Sequence, residues 1–203
     1  MKKVLLALFL ALPMGLHAQT ASSGGQSVET LICIRHGEKP PGSLGQLSCR
    51  GLNRALALPD VLLKKYGQPK FIYAPNPTQK IDGVSGYYYV RPLMTIEPTA
   101  IRCGLPVNTG FGYLQIHELE QELQKPPYQN AMVFIAWEHN LLDIFAKDVV
   151  KENGGSAASV PSWSGKDYDS IFVVKITRSA GHSSVTFTID HEGLNNLSDN
   201  CPE

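Results

Sequence analysis

Residues 28–34, Val-Glu-Thr-Leu-Ile-Cys-Ile, are a run of strand-forming side chains that stops abruptly at Arg35-His36-Gly37, and Pro40-Pro41-Gly42 bars any regular continuation. The run predicts a buried strand whose far end is a tip. In an open α/β sheet, ligands sit outside the carboxyl ends of the strands, so Arg35 and His36 are offered to something beyond the sheet. Gly37 is expected to let the backbone turn sharply and approach that ligand. A guanidinium and an imidazole at one tip make a receptor for an anion, most simply a phosphate.

The chain repeats this device. Residues 131–136, Ala-Met-Val-Phe-Ile-Ala, are a wholly apolar strand that ends in Trp137-Glu138-His139-Asn140, and a helix is expected over 141–150. Ser48 is placed to cap a helix over 49–66, kinked or interrupted at Pro59. A short strand at 71–74 is closed by Pro75 and Pro77, and a polar loop over 76–86 follows. The next helix holds Arg91 and Pro92 in its first turn, where free N–H groups and the positive end of the dipole favour an anion. Pro106-Val107 is a short strand. Residues 113–123 form an amphipathic helix whose second face carries Glu118, Glu120 and Glu122 as a solvated row, with His117 in a structural role. Strands over 171–176 and 185–189 are joined as a hairpin through Ser179-Ala180-Gly181-His182, leaving His182 and His191 solvated.

Length and composition bound the rest. The chain has 203 residues with 43% hydrophobic content, enough for one domain with a substantial core. Residues 1–18 are expected to be a secretory signal: Lys2-Lys3, an apolar stretch over 4–16, then Ala18 before polar Gln19, with Ala21 as a second possible cleavage point. That apolar run is short for a membrane span, and no Cys follows Ala18 to take a lipid anchor, so no stable membrane insertion is expected after cleavage. The domain is then 19–203, periplasmic or secreted. Basic and acidic residues number 18 each, so no basic footprint for nucleic acid exists, and any anion site is local.

Arg35-His36-Gly37 at the end of the first strand resembles the signature of the histidine phosphatase superfamily, with its phosphoglycerate-mutase-like fold. Leu47-Ser48-x-x-Gly51-Leu52-x-x-Ala55 is similar to the helix opening that follows that loop in the family. Arg91-x-x-x-Thr95-x-x-x-Thr99-Ala100 resembles, in stretched form, the segment that supplies its second phosphate-binding arginine. His139 matches the family's second histidine, although Glu138 and Asn140 beside it fit neither family subgroup.

The resemblance implies an α/β fold, a three-layer α/β/α sandwich with a mainly parallel sheet and one antiparallel strand. It implies an exported phosphomonoester hydrolase with no cofactor and no metal. His36 is the nucleophile, and Arg35, Arg91 and His139 hold the phosphate. The second ring nitrogen of His36 is expected to be fixed by a backbone carbonyl near Gly37. The leaving-group proton falls first to Glu138, with Glu118 and Glu120 as alternatives. Tyr87, Tyr88, Tyr89 and Trp163 suggest an aromatic mouth for a small-molecule phosphomonoester. Mutase activity is disfavoured by export, and the chain is too short for the large helical insert of the phytase-like branch. The alternative is a weakly active or inactive phosphate- or phosphosugar-binding module on the same scaffold.

Other reaction classes lack their motifs. His36-Gly37-Glu38 is not followed by the P-C-x-x-C of a zinc deaminase, and there is no H-E-x-x-H helix, G-x-S-x-G elbow or P-loop.

Four cysteines, with no C-x-x-C pair, permit a disulfide in an exported protein. Cys49 opens the first long helix at the active-site end of the sheet, and the closing hairpin carries the tail with Cys201 back to that end, so these two are expected to pair. Cys33, inside the first strand, and Cys103, at the end of the second helix, are then thiols in the core.

Overall fold

The structure is a computed structural model that describes residues 25–81 and 86–203. The leader expected over 1–18 lies outside the described residues. The strands are β1 (Ser27–Arg35), β2 (Phe71–Tyr73), β3 (Val107–Asn108), β4 (Met132–Trp137), β5 (Ser170–Ser179) and β6 (His182–His191). They form one sheet of order β3-β2-β4-β1-β5-β6. β3, β2, β4 and β1 pair in parallel, and β5 runs antiparallel to both β1 and β6. Five strands therefore share one direction and β5 opposes them, as the expected architecture requires.

The described residues form four α-helices, α1 (Cys49–Tyr66), α2 (Arg91–Cys103), α3 (Ile116–Leu123) and α4 (His139–Glu152). The period-2 alternation of β1 sorts them into layers. Ile32 and Ile34 face one side with Ile72 and Phe134, where Leu58 and Leu62 of α1 and Ile96 and Ala100 of α2 cover them. Leu31 and Cys33 face the other side with Val133 and Ile135, under Leu119 of α3 and Leu142 and Phe145 of α4. Both faces of β1 and β4 are dry, which is why these strands carry near-continuous apolar runs.

Several boundaries depart from expectation for local reasons. Ser48 caps α1 by accepting from the Gly51 N–H at 3.2 Å, but the helix passes through Pro59 without interruption. One lost intrahelical hydrogen bond is outweighed there by burial of the flanking Leu58 and Leu62, each worth about 1.5–3 kcal/mol. α3 starts at Ile116 and not at 113, because Gln115 N–H closes a turn onto Gly112 O at 2.9 Å. α4 starts at His139 and not at 141, because the Glu138 side chain caps it, accepting from the Leu141 N–H at 3.0 Å.

Cys49 and Cys201 form the expected disulfide. The tail is sewn to α1 further by Arg50 with Asp199 at 2.8 Å and by Asn53 Nδ2, which donates to the carbonyls of Ser198 and Asn200 at 3.0 and 2.8 Å. Cys33 is a buried thiol; Cys103 is a free thiol too but only half-buried at the end of α2, so it is not a core residue. No helix among the described residues is long and apolar enough to cross a membrane.

Candidate active site

The site begins with the register of β1 on β4. Arg35 stands opposite Trp137, and the His36 N–H donates to Trp137 O at 3.0 Å, so both strands end together. The chain leaves β1 toward β2 and leaves β4 toward β5, on opposite sides, which opens a crevice at their carboxyl ends. Arg35, His36, Glu138 and His139 come from these two tips and Arg91 from the first turn of α2, and all five line one cavity of about 280 Å³. A larger cavity of about 820 Å³ lies on the outer side of loop 40–47, but it contains none of these five side chains. The chemistry belongs to the smaller one.

His36 is buried, and its Nδ1 lies 2.7 Å from the carbonyl of Gly37. A carbonyl only accepts, so Nδ1 carries the hydrogen and the Nε2 lone pair is free. Burial pushes the His36 pKa well below its ordinary value, opposed by the Gly37 carbonyl and assisted by Arg91, Arg35 and His139. The ring is therefore a neutral base at neutral pH. Gly37 itself does not turn the chain with a left-handed backbone. A Cβ there would lie 2.9 Å from Gly51 O, and one on Gly51 would lie 2.4 Å from Glu38 O, so the two glycines let the loop press against α1. Thr95 ties the same loop to α2: its hydroxyl accepts from Gly37 N–H at 2.9 Å and donates to Arg91 O at 2.8 Å.

Arg35 and Arg91 are both buried, yet no carboxylate oxygen lies within 4.0 Å of either guanidinium among the described residues. Arg35 Nη1 donates to the carbonyls of Gly165 and Asp167, each at 2.8 Å, and the guanidinium stacks 3.8 Å above the Tyr168 ring. Arg91 Nη1 donates to Ser43 Oγ and O at 2.9 and 3.2 Å, and its guanidinium lies 4.8 Å from the Tyr89 ring centroid. The Nε of each arginine is buried without a hydrogen-bond partner. Orientation comes from neutral acceptors, and neither positive charge is held in a direct ion pair; Glu138 and Asp167 act on Arg35 only from further away.

His139 closes the site opposite His36 as a second imidazole. Burial and the nearby Arg35 lower its pKa, while Glu138 opposes them. Glu138 Oε1 is 2.5 Å from His139 Nδ1 but outside hydrogen-bond alignment. Simple strand alternation would separate Glu138 from His139. The structure unites them because β4 has already ended at Trp137 and Glu138 has left the pleat to cap α4.

The other two candidate acids are elsewhere. Glu118 is exposed on α3. Glu120 is buried beside Glu29 and Arg178 at the opposite end of β1, about 20 Å from Arg35 at about 3.3 Å per residue. Neither lines the cavity. The aromatic mouth is also composed differently from expectation. Tyr87 and Tyr88 are exposed, and Trp163 is buried, stacked 4.0 Å from Phe172. Tyr89, Tyr113 and Tyr168 take the place beside the site.

Lys39, Ser43 and Tyr113 line the cavity without having been singled out in the sequence. Ser43 sits within a run of positive φ from Gly42 through Gly45 (75°, 70°, 37° and 72°), a conformation that two glycines in four residues signal. Lys39 could have been found from its place two residues after Gly37. Tyr113 has no local signal.

Neither a protein-family model nor a curated protein matches the sequence. Solved structures do. A mycobacterial hydrolase is similar over 81% of this chain and 90% of its own, with TM-score 0.54 and 16% identity. A mycobacterial glucosyl-3-phosphoglycerate phosphatase is similar over 80% and 97%, with TM-score 0.51 and 16% identity. A phosphoglycerate mutase from Plasmodium falciparum is similar over 80% and 89%, with TM-score 0.50 and 12% identity. At such identities the likeness is one of fold, and the fold is the phosphoglycerate-mutase-like α/β sandwich.

Proposed function

From a fold shared with a phosphatase and a phosphoglycerate mutase, we propose that this protein is a member of the histidine phosphatase superfamily: an exported hydrolase of small phosphomonoesters acting through a phosphohistidine on His36. One observation carries the reading. A neutral imidazole with a free Nε2 stands beside two buried guanidiniums that form no direct ion pair among the described residues. A phosphomonoester dianion supplies the missing charge, and each guanidinium offers it paired N–H donors.

In the first step Nε2 attacks phosphorus, an N–P bond forms, and the P–O bond to the leaving group breaks. Glu138 delivers the proton to the departing alkoxide. In the second step water attacks the phosphohistidine, Glu138 takes a proton from that water, and the N–P bond breaks to release phosphate. Arg35, Arg91 and His139 hold the equatorial oxygens through both displacements, and the charge of the two arginines does the electrostatic work of phosphoryl transfer. The disulfide, together with the leader expected over 1–18, supports export into an oxidising compartment.

The test is turnover of an aryl phosphate by the mature protein, with rapid quenching to trap an acid-labile, base-stable phosphoryl group. His36→Ala is expected to lower kcat by about 10⁴-fold or more and to remove the trapped phosphate. Wild-type turnover by His36→Ala would refute the mechanism. Tight phosphate binding with no turnover would select the binding-module alternative.

A further inference from the structure

At the end of the sheet remote from the catalytic tips, α3 and α4 bring four ionisable side chains together. On α3, His117 and Glu120 are three residues apart and share a face; on α4, Asp148 and Glu152 are four apart and share another. His117 Nδ1 lies 3.3 Å from Glu120 Oε2 and 3.6 Å from Asp148 Oδ2. One potential ligand atom from each of these three residues lies within 4.8 Å of the other two. Metal–ligand bonds of about 2.0–2.1 Å in tetrahedral geometry set ligand atoms roughly 3.3–3.4 Å apart, so two edges of such a site are already in place.

A second observation points to a ligand. Glu120 is only 5% exposed, and its Oε1 is buried with no hydrogen-bond partner. Two carboxylates face a single imidazole that is itself largely exposed. A cation there would occupy the orphaned carboxylate and offset the mutual repulsion.

We propose that His117, Glu120 and Asp148 form a binding site for a divalent transition ion of the zinc class. An imidazole nitrogen with two carboxylate oxygens is a borderline donor set that suits zinc better than the all-oxygen preference of calcium or magnesium. Glu152, which accepts a hydrogen bond from Gln124, lies one turn beyond Asp148 on α4 and is left outside the ligand set. The ion enters from solvent on the His117 side and staples α3 to α4. It takes no part in chemistry at the other end of β1.

The experiment is a zinc titration of the metal-stripped mature protein by calorimetry against a competing chelator, with thermal unfolding followed in parallel. One ion per chain and a Tm that rises with zinc are expected. His117→Ala and Asp148→Asn should each weaken affinity by at least tenfold and abolish the Tm response, while leaving phosphatase turnover and zinc-free Tm near wild type. Glu120→Gln should lose zinc binding as well. His36→Ala should keep it. No uptake, uptake unchanged in the His117→Ala, Asp148→Asn double variant, or uptake abolished by His36→Ala would each overturn the proposal, the last by placing the ion in the catalytic cavity.

Discussion

Arg54 and Arg35 are both buried near the active-site end of the sheet, and they live in opposite electrostatic surroundings. Arg54, wholly buried, is clamped by both oxygens of Glu38 at 2.8 and 3.0 Å, by Glu192 at 2.5 Å and by Leu194 O at 3.2 Å, with Asp169 at 3.6 Å. Arg35 has carbonyls, an aromatic face and, among the described residues, no carboxylate in direct contact. The first arginine is over-compensated and holds the loop after His36 against the returning tail. The second is positioned equally firmly by dipoles, and its charge remains for a ligand. A buried cation therefore announces a binding role through the absence of counter-charge more than through burial, because desolvation without compensation is costly unless something else arrives to supply it.

Substituting the two arginines tests this contrast most severely. Arg54→Met removes one partner from a buried ion cluster and strands three carboxylates, so it is expected to cost about 3–5 kcal/mol of unfolding free energy, measured by urea titration. Arg35→Ala removes an uncompensated charge, so stability should change by about 1 kcal/mol or less, while kcat/KM for a phosphomonoester falls roughly 10²–10³-fold. If Arg35→Ala destabilised as strongly as Arg54→Met and spared turnover, the division between structural and ligand-directed arginines would collapse.

Glu138 sharpens the same division, since among the described residues it is the one carboxylate on the cavity wall and also the cap of α4. The proton it delivers matters only when the leaving group is a poor one. Glu138→Gln keeps an acceptor for the Leu141 N–H and removes the transferable proton, so hydrolysis of alkyl phosphates should slow about 10²-fold more than hydrolysis of nitrophenyl phosphate. Equal slowing of both substrates would assign Glu138 to architecture alone.

The parts of this site that were legible in the sequence are those with local causes. β1 and β4 announce themselves because burial on both faces forces apolar runs, and the residues after the runs must then be the tips. His36 and Gly37 are adjacent, so the carbonyl that fixes Nδ1 could be anticipated. Arg91 is found because a helix start can be recognised from Pro92 and the periodicity after it. The anchors of Arg35 are some 130 residues away, in a loop whose carbonyls carry no side-chain signature. Arg54 was invisible for a related reason: Glu38, Asp169 and Glu192 are spread along the chain and meet only through the fold. Trp163 was misplaced because an aromatic residue in a polar loop looks exposed, whereas its ring closes the core on Phe172 and its Nε1 donates to Asp167 O at 3.3 Å, bracing the loop that holds Arg35.

The remaining expected effects are those of pH, and they again set the two regions against each other. His36 has a depressed pKa in the folded state. The unfolded chain binds the extra proton, so the contribution of His36 to stability falls as pH drops below about 6.5, by up to about 1.4 kcal/mol per pH unit until the folded ring also protonates. Its nucleophilic form persists over that range, and the acid limb of kcat/KM that reports this ring should lie well below pH 6.5. Glu192 is shifted upward, to about 8, mainly by burial and against the pull of Arg54. Here the folded state keeps a proton that the unfolded chain releases near pH 4.5, so stability declines as pH rises from about 4.5 to 8, with the same limiting slope and the opposite sign. Between pH 4.5 and 6.5 the two slopes partly cancel in the wild type, and single variants should separate them. Urea titrations at a series of pH values should show His36→Gln losing less stability than wild type as pH falls through 6.5 and Glu192→Gln losing less as pH rises toward 8. Identical profiles for wild type and Glu192→Gln would mean that the Arg54 cluster stores no proton and that its three carboxylates are all ionised.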